Sequence, residues 1–193
     1  FLNFAPLFNG DYKFTIYGAN KNTDINTISK KLLDPALWPV SLDMLNAQIN
    51  FINLSENHLK INNKVFVDLI DHPHPNGAIS YKLTINNYSL LYSTDCEHKN
   101  NILNKNVINI AKNVDLLIHD SHFTVNDLTN YIGWGHSSWK NATALAKTAN
   151  VNQLILFHYN PDYSDDTIDK MEIDAQNYFS NTIASKQGMK IEF

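Results

Sequence analysis

Residues 78–95 leave the backbone little choice. Ile79, Tyr81, Leu83 and Ile85 alternate with polar residues, Asn86-Asn87 suits the positive φ of a tight turn, and Leu90 to Tyr92 return. This pattern predicts a β-hairpin. A two-residue turn would set Asp95 opposite Ala78, so that Asp95 shares the open end of the hairpin with residues 71–76. Downstream, residues 116–120 form an apolar run ending in polar residues. Ser137 or Ser138 then caps a helix carrying Ala142, Leu145, Ala146 and Ala149 at helical spacing. Residues 154–157 read as a buried strand ending in His158. Ser164 with Asp165 and Asp166 marks a further helix start, whose apolar stripe is Ile168, Met171, Ala175, Tyr178 and Phe179. Residues 189–193 look like a closing strand. Upstream, residues 12–17, 49–54 and 65–70 read as strands and 27–33 as a helix. Taken together, the expected class is α with β.

A length of 193 residues and an apolar fraction of 44% suit one globular domain over 1–193. The net charge of −4 offers no general attraction for polyphosphate, so nucleic-acid binding would need a local patch. A single cysteine, Cys96, allows no intramolecular disulfide, which suits a reducing cytoplasm. The apolar opening from Phe1 to Phe8 lacks a basic n-region and reads as buried core. No apolar run approaches the ~20 residues that cross a bilayer, so no membrane partner is expected.

Chemistry-bearing residues follow apolar strands at three places. His74 precedes the hairpin, Asp95 ends it, and His158 ends the run 154–157. Rigid strand ends hold ligands in fixed geometry, and two imidazoles with one carboxylate suit zinc, iron or manganese. With 8 histidines in the chain, some fall at strand ends by chance, so spacing alone leaves surface or core histidines as the alternative.

The runs His74-Pro75-Asn76-Gly77-Ala78-Ile79-Ser80-Tyr81 and Tyr92-Ser93-Thr94-Asp95 change that balance. So do Leu116-Leu117-Ile118-His119-Asp120, Gly133-Trp134-Gly135-His136-Ser137-Ser138 and Leu156-Phe157-His158-Tyr159-Asn160-Pro161. In this order and spacing they resemble the metallo-β-lactamase-fold hydrolases, on the branch of ribonuclease Z and related cyclic phosphodiesterases. The resemblance implies an α+β fold, the four-layer αββα sandwich of that family. It also implies His74 as ligand of one metal, Asp95 as a bridging carboxylate and His158 as ligand of a second metal. His136 would be the general acid, and Asp120 the acidic residue that orients it and supports its charge. The implied cofactors are two divalent transition-metal ions, with zinc the first choice and manganese or iron the others. His119 is assigned a supporting role, His72, His98 and His122 fall outside the site, and Cys96 is read as a buried thiol.

The family's first signature, His-x-His-x-Asp-His, does not occur in these 193 residues. The resemblance places it upstream of the position of Phe1, together with the first strands of the amino-terminal sheet. Half of the expected ligands are therefore missing from this sequence. Two functions follow as expectations. The first is a phosphodiesterase-type hydrolase acting on a small cyclic or nucleotide phosphodiester through a hydroxide activated between two ions, once the amino-terminal ligands are present. The second is a metal-free binding or scaffold relative. Homodimers are common in such enzymes, though no residue here marks an interface.

Overall fold

The computed structural model describes residues 4–19 and 23–192. The chain divides into two compact units, Phe1–Asn57 and His58–Phe193.

In the first unit, strand β1 (Lys13–Gly18) pairs in parallel with β2 (Gln48–Asn53), in a register running from Lys13 opposite Gln48 to Gly18 opposite Asn53. A parallel pair needs a crossover, and helix α1 (Ile25–Leu32) supplies it. The helix starts where Asp24 accepts the Thr27 amide hydrogen, an N-cap that occupies one otherwise unpaired donor. The opening segment departs from the sequence expectation. Ala5–Phe8 is a short 3-10 turn in which Leu7 is buried, whereas Phe4 and Phe8 are exposed at 49% and 43%. A turn of this kind sends successive side chains in different directions, so it buries one of its apolar residues and not the run. Phe1, Leu2 and Asn3 lie outside the described residues.

The second unit is built on a seven-stranded sheet whose strands lie in chain order. Strands β3 (His58–Lys60), β4 (Val65–His72), β5 (Ala78–Ile85) and β6 (Tyr88–Ser93) are antiparallel neighbours. From β6 onward the sheet is parallel through β7 (Leu116–Asp120), β8 (Gln153–Phe157) and β9 (Thr182–Ala184). The parallel steps are connected through helices α2 (Lys105–Ala111), α4 (Trp139–Thr148) and α5 (Asp165–Tyr178), and the short helix α3 (Val125–Leu128) lies between β7 and α4. The apolar stripe of α4 packs with the sheet, as does that of α5 through Met171 and Ala175, whereas Tyr178 at the end of the expected α5 stripe is exposed. Leu91, Leu117, Leu145, Leu154 and Leu156 are fully buried with Ala142, Ala146, Met171 and Ala175. Each buried leucine contributes ~1.5–3 kcal/mol relative to exposure.

The hairpin turn has the expected two residues, with Ile85 opposite Tyr88, and Asn86 adopts φ 55°. The β5–β6 ladder runs only from Ile85–Tyr88 to Tyr81–Tyr92, and Asp95 stands beyond the end of β6 rather than paired across from Ala78. The closing strand is also different. Thr182–Ala184, not 189–192, adds to the sheet, because α5 delivers the chain beside β8 there, and Phe193 lies outside the described residues. Residues 186–189 form a turn, with the Met189 amide donating to Lys186, and residues 189–192 are not strand. Among the described residues, no helix is long and apolar enough to cross a membrane.

Candidate active site

Because β6, β7 and β8 are parallel, the residues that follow them emerge at one edge of the sheet. Strand β5 runs antiparallel to β6, so the β4–β5 connection carrying His74 lies at that same edge. Topology thus brings together His74, Asp95, Asp120, His136 and His158, which are spread over 85 positions of sequence. Asp95 and His158 turn sharply as their strands end, with φ 54° and 63°. The left-handed region costs a non-glycine residue roughly 1–2 kcal/mol, and such strain concentrates at functional sites.

Asp95 is central to one group. Its Oδ1 lies 3.6 Å from His74 Nε2 and 3.4 Å from His158 Nε2. Two donors bonded at ~2.1 Å to one ion at a tetrahedral angle stand ~3.4 Å apart, so this spacing and this N, O, N donor set fit ligands that share metal ions. His74, Asp95 and His136 also present ligand atoms within 4.8 Å of one another.

Asp120 organises the second group. Its side chain is fully buried, and its carboxylate accepts the amide hydrogens of Asp95 at 3.0 Å, His122 at 3.1 Å and Ser137 at 2.9 Å. His136 Nδ1 donates to Asp120 Oδ2 at 2.9 Å. Burial alone would pull the His136 imidazolium down, but the hydrogen bond and negative charge of Asp120 outweigh it and raise His136 above its ordinary value. Helix α4 begins three residues later under a reciprocal cap between Ser138 and Asn141, which fixes the backbone that presents His136.

Two further residues join the site although the sequence reading left them out. His122 stacks on His136 with centroids 4.2 Å apart and interplanar angle 18°, donates from Nδ1 to the His158 carbonyl at 2.9 Å, and shares a potential ligand cluster with His136 and His158. Its signal was the Asp120-Ser121-His122 order after a strand: an aspartate that accepts from the amide two residues on folds the chain back over its own end. Glu97 accepts the amide hydrogens of Gly133 at 2.7 Å and Gly135 at 3.0 Å, pinning the loop that leads to His136. No periodicity marks such a residue.

Gly135 itself is dictated by the site. It adopts φ 93°, and a Cβ there would collide with the His74 ring and stand 2.7 Å from Pro75 Cδ. Gly135→Ala is expected to lower stability by ~1–3 kcal/mol through overpacking and backbone strain. Urea unfolding would measure this, and an unchanged midpoint would show that the His74–Gly135 approach is not tight.

The family model described as Anti-Pycsar protein Apyc1 matches residues 3–180. Ribonuclease Z from Archaeoglobus fulgidus is 40% identical over 88 residues, 46% of this chain and 28% of that protein. Ribonuclease Z from Sulfurisphaera tokodaii is 45% identical over 80 residues, 42% of this chain and 26% of that protein. The chain therefore matches little more than a quarter of the length of these relatives. Among solved structures, the metallo-β-lactamase fold protein YhfI from Bacillus subtilis superposes with TM-score 0.66 at 18% identity, covering 92% of this chain and 64% of that one. The short form of human tRNase Z superposes with TM-score 0.62 at 14% identity, covering 92% and 67%. These likenesses establish the metallo-β-lactamase fold, with its large mixed sheet, for this chain.

Proposed function

Since the chain belongs to the family described as Anti-Pycsar protein Apyc1, we propose that it serves a metal-dependent hydrolase of phosphodiester bonds, with residues 1–193 forming part of one metallo-β-lactamase-like domain. The observation that carries this reading is the convergence of two groups at one sheet edge. One is a nitrogen and oxygen donor set around Asp95, and the other is a His136 whose proton is held by a buried carboxylate. The family match spans both units of the chain, which supports the single-domain reading.

His74, Asp95 and His158 would hold divalent ions, with Asp95 shared and zinc the first choice for the donor set. Bound there, such ions supply charge neutralisation of a phosphoryl group and a nucleophile at neutral pH. The chain's own residues do the rest. Asp120 keeps the His136 Nδ1 proton in place, which directs Nε2 outward as the proton donor to a departing alkoxide oxygen. Stacking by His122 fixes the ring plane, and the Glu97 clamp on Gly133 and Gly135 sets the height of the loop.

For substrate, small cyclic or nucleotide phosphodiesters remain the first choice, since the net charge of −4 favours no long polyanion. The relatives named ribonuclease Z bring back nucleic acid as a substrate class that composition had set aside. Measuring metal by elemental analysis in the protein from its full reading frame, beside His158→Ala, tests the reading. Close to two transition-metal ions per chain, reduced in the variant, is the expected result. Absence of metal after zinc, manganese and iron have each been supplied would overturn it in favour of a scaffold protein.

A further inference from the structure

On β7 the alternation that aims Asp120 at the active site aims His119 to the other side. There His119 is fully buried and stands near Cys96, which is fully buried, and His98, which is 4% exposed. The rings of His98 and His119 stack with centroids 5.3 Å apart and interplanar angle 13°. Nε2 of both residues is buried and has no hydrogen-bond partner among the described residues. A buried polar atom left unpaired costs ~1–3 kcal/mol, and two on a pair of stacked rings call for an occupant. Cys96, His98 and His119 present ligand atoms within 4.8 Å of one another.

We propose that Cys96, His98 and His119 form a second metal site, distinct from the one around Asp95, that takes one zinc-class divalent ion. Thiolate with imidazole is a donor set that selects such ions over magnesium or calcium. His119 is already prepared. Its Nδ1 donates to the Asp120 carbonyl at 2.7 Å, which leaves Nε2 with a free lone pair, the usual way an outer hydrogen bond fixes the ligating nitrogen. His98 must adjust. Its Nδ1 accepts the Asn104 amide hydrogen at 3.2 Å, whereas ligation through Nε2 places the imidazole proton on Nδ1, so loading opens that contact. The Cys96 thiol proton leaves to solvent as the sulfur–metal bond forms. Bringing the donors to the ~3.3–3.7 Å separations of a tetrahedral site requires shifts of about 1 Å. A cavity of about 310 Å³, lined in part by Glu97, His98, Asn101 and Lys140, reaches His98 and offers a path for entry.

This site would link the loop after β6 to β7 directly beneath Asp95 and Asp120. Its role is structural, holding the backbone that carries those two carboxylates. The proposal is independent of phosphodiester chemistry, and the test separates the two. The probe is Co(II), added to the metal-free protein from its full reading frame. The donors around Asp95 are nitrogen and oxygen, so a near-ultraviolet thiolate-to-cobalt charge-transfer band reports only a cysteine ligand. We expect that band in the wild type and in Asp95→Asn, its loss in Cys96→Ser, and its displacement by zinc. The Asn104 amide resonance should shift on loading. Failure of the folded wild type to develop the band at saturating Co(II), or its survival in Cys96→Ser, would overturn the proposal, and because the first of these needs no variant, misfolding of a mutant cannot obscure it.

Discussion

Replacing Asp120 by Ala is expected to destabilise the protein by ~3–5 kcal/mol, the range found when one partner of a buried charged hydrogen-bonded group is removed. The magnitude follows from what the carboxylate holds. It accepts amide hydrogens from Asp95, His122 and Ser137 and the His136 ring, and these four donors come from three separate segments of chain. Truncation strands all four in a site where the Asp120 side chain has no exposed surface. Denaturant unfolding of the wild type and the variant, with slopes compared as well as midpoints, measures the loss. A destabilisation under ~1 kcal/mol would mean that water replaces the carboxylate easily, and that Asp120 does not organise the site.

The second large effect is on rate. His136→Ala should lower kcat on a hydrolysed phosphodiester by ~10²–10⁴-fold, the usual contribution of a positioned general acid, while bound metal stays unchanged. The pH dependence checks the same claim without deleting the ring. His136 is raised above its ordinary value because Asp120 outweighs the effect of burial, so the proton needed for catalysis is present below that raised value and lost as pH rises through it. In Asp120→Asn the hydrogen bond to a carboxylate and the nearest charge that raise it are gone, and burial is then opposed only by the smaller effects of Asp95 and Glu97. The alkaline limb of the kcat profile should move to lower pH. Loss of activity with no movement of that limb would point to a structural role for Asp120 and remove His136 from proton transfer.

Much of the frame was legible because it is written in local patterns. Alternation and the Asn86 turn set the hairpin, Ser138 and Ser164 capped the helices where the side-chain oxygen rule places them, and Leu154 to Leu156 formed a buried strand with Phe157 exposed at its end. His74, Asp95, Asp120, His136 and His158 were named from ordered motifs, and the structure brings them to one edge. Errors came where local pattern and tertiary demand separate. Residues 189–193 look apolar enough for a strand, but a strand needs a neighbour, and α5 delivers Thr182–Ala184 to β8 first. Phe4 and Phe8 look like core, yet a 3-10 turn buries Leu7 in their place.

His122 and Glu97 show the same limit at the site. The Asp120-Ser121-His122 order marks only a local turn after β7, and nothing about a glutamate two residues past Asp95 announces which way it will face. Their roles exist only because the parallel order of β6, β7 and β8 returns distant segments to one place, where Glu97 meets Gly133 and Gly135 and His122 meets His136 and His158. The chain by itself determined the period of each element, its caps and the residue types capable of chemistry, since these depend on neighbours a few positions away. Only the tertiary structure decided which of the 8 histidines meet each other, because contact between residues tens of positions apart is set by strand order and register.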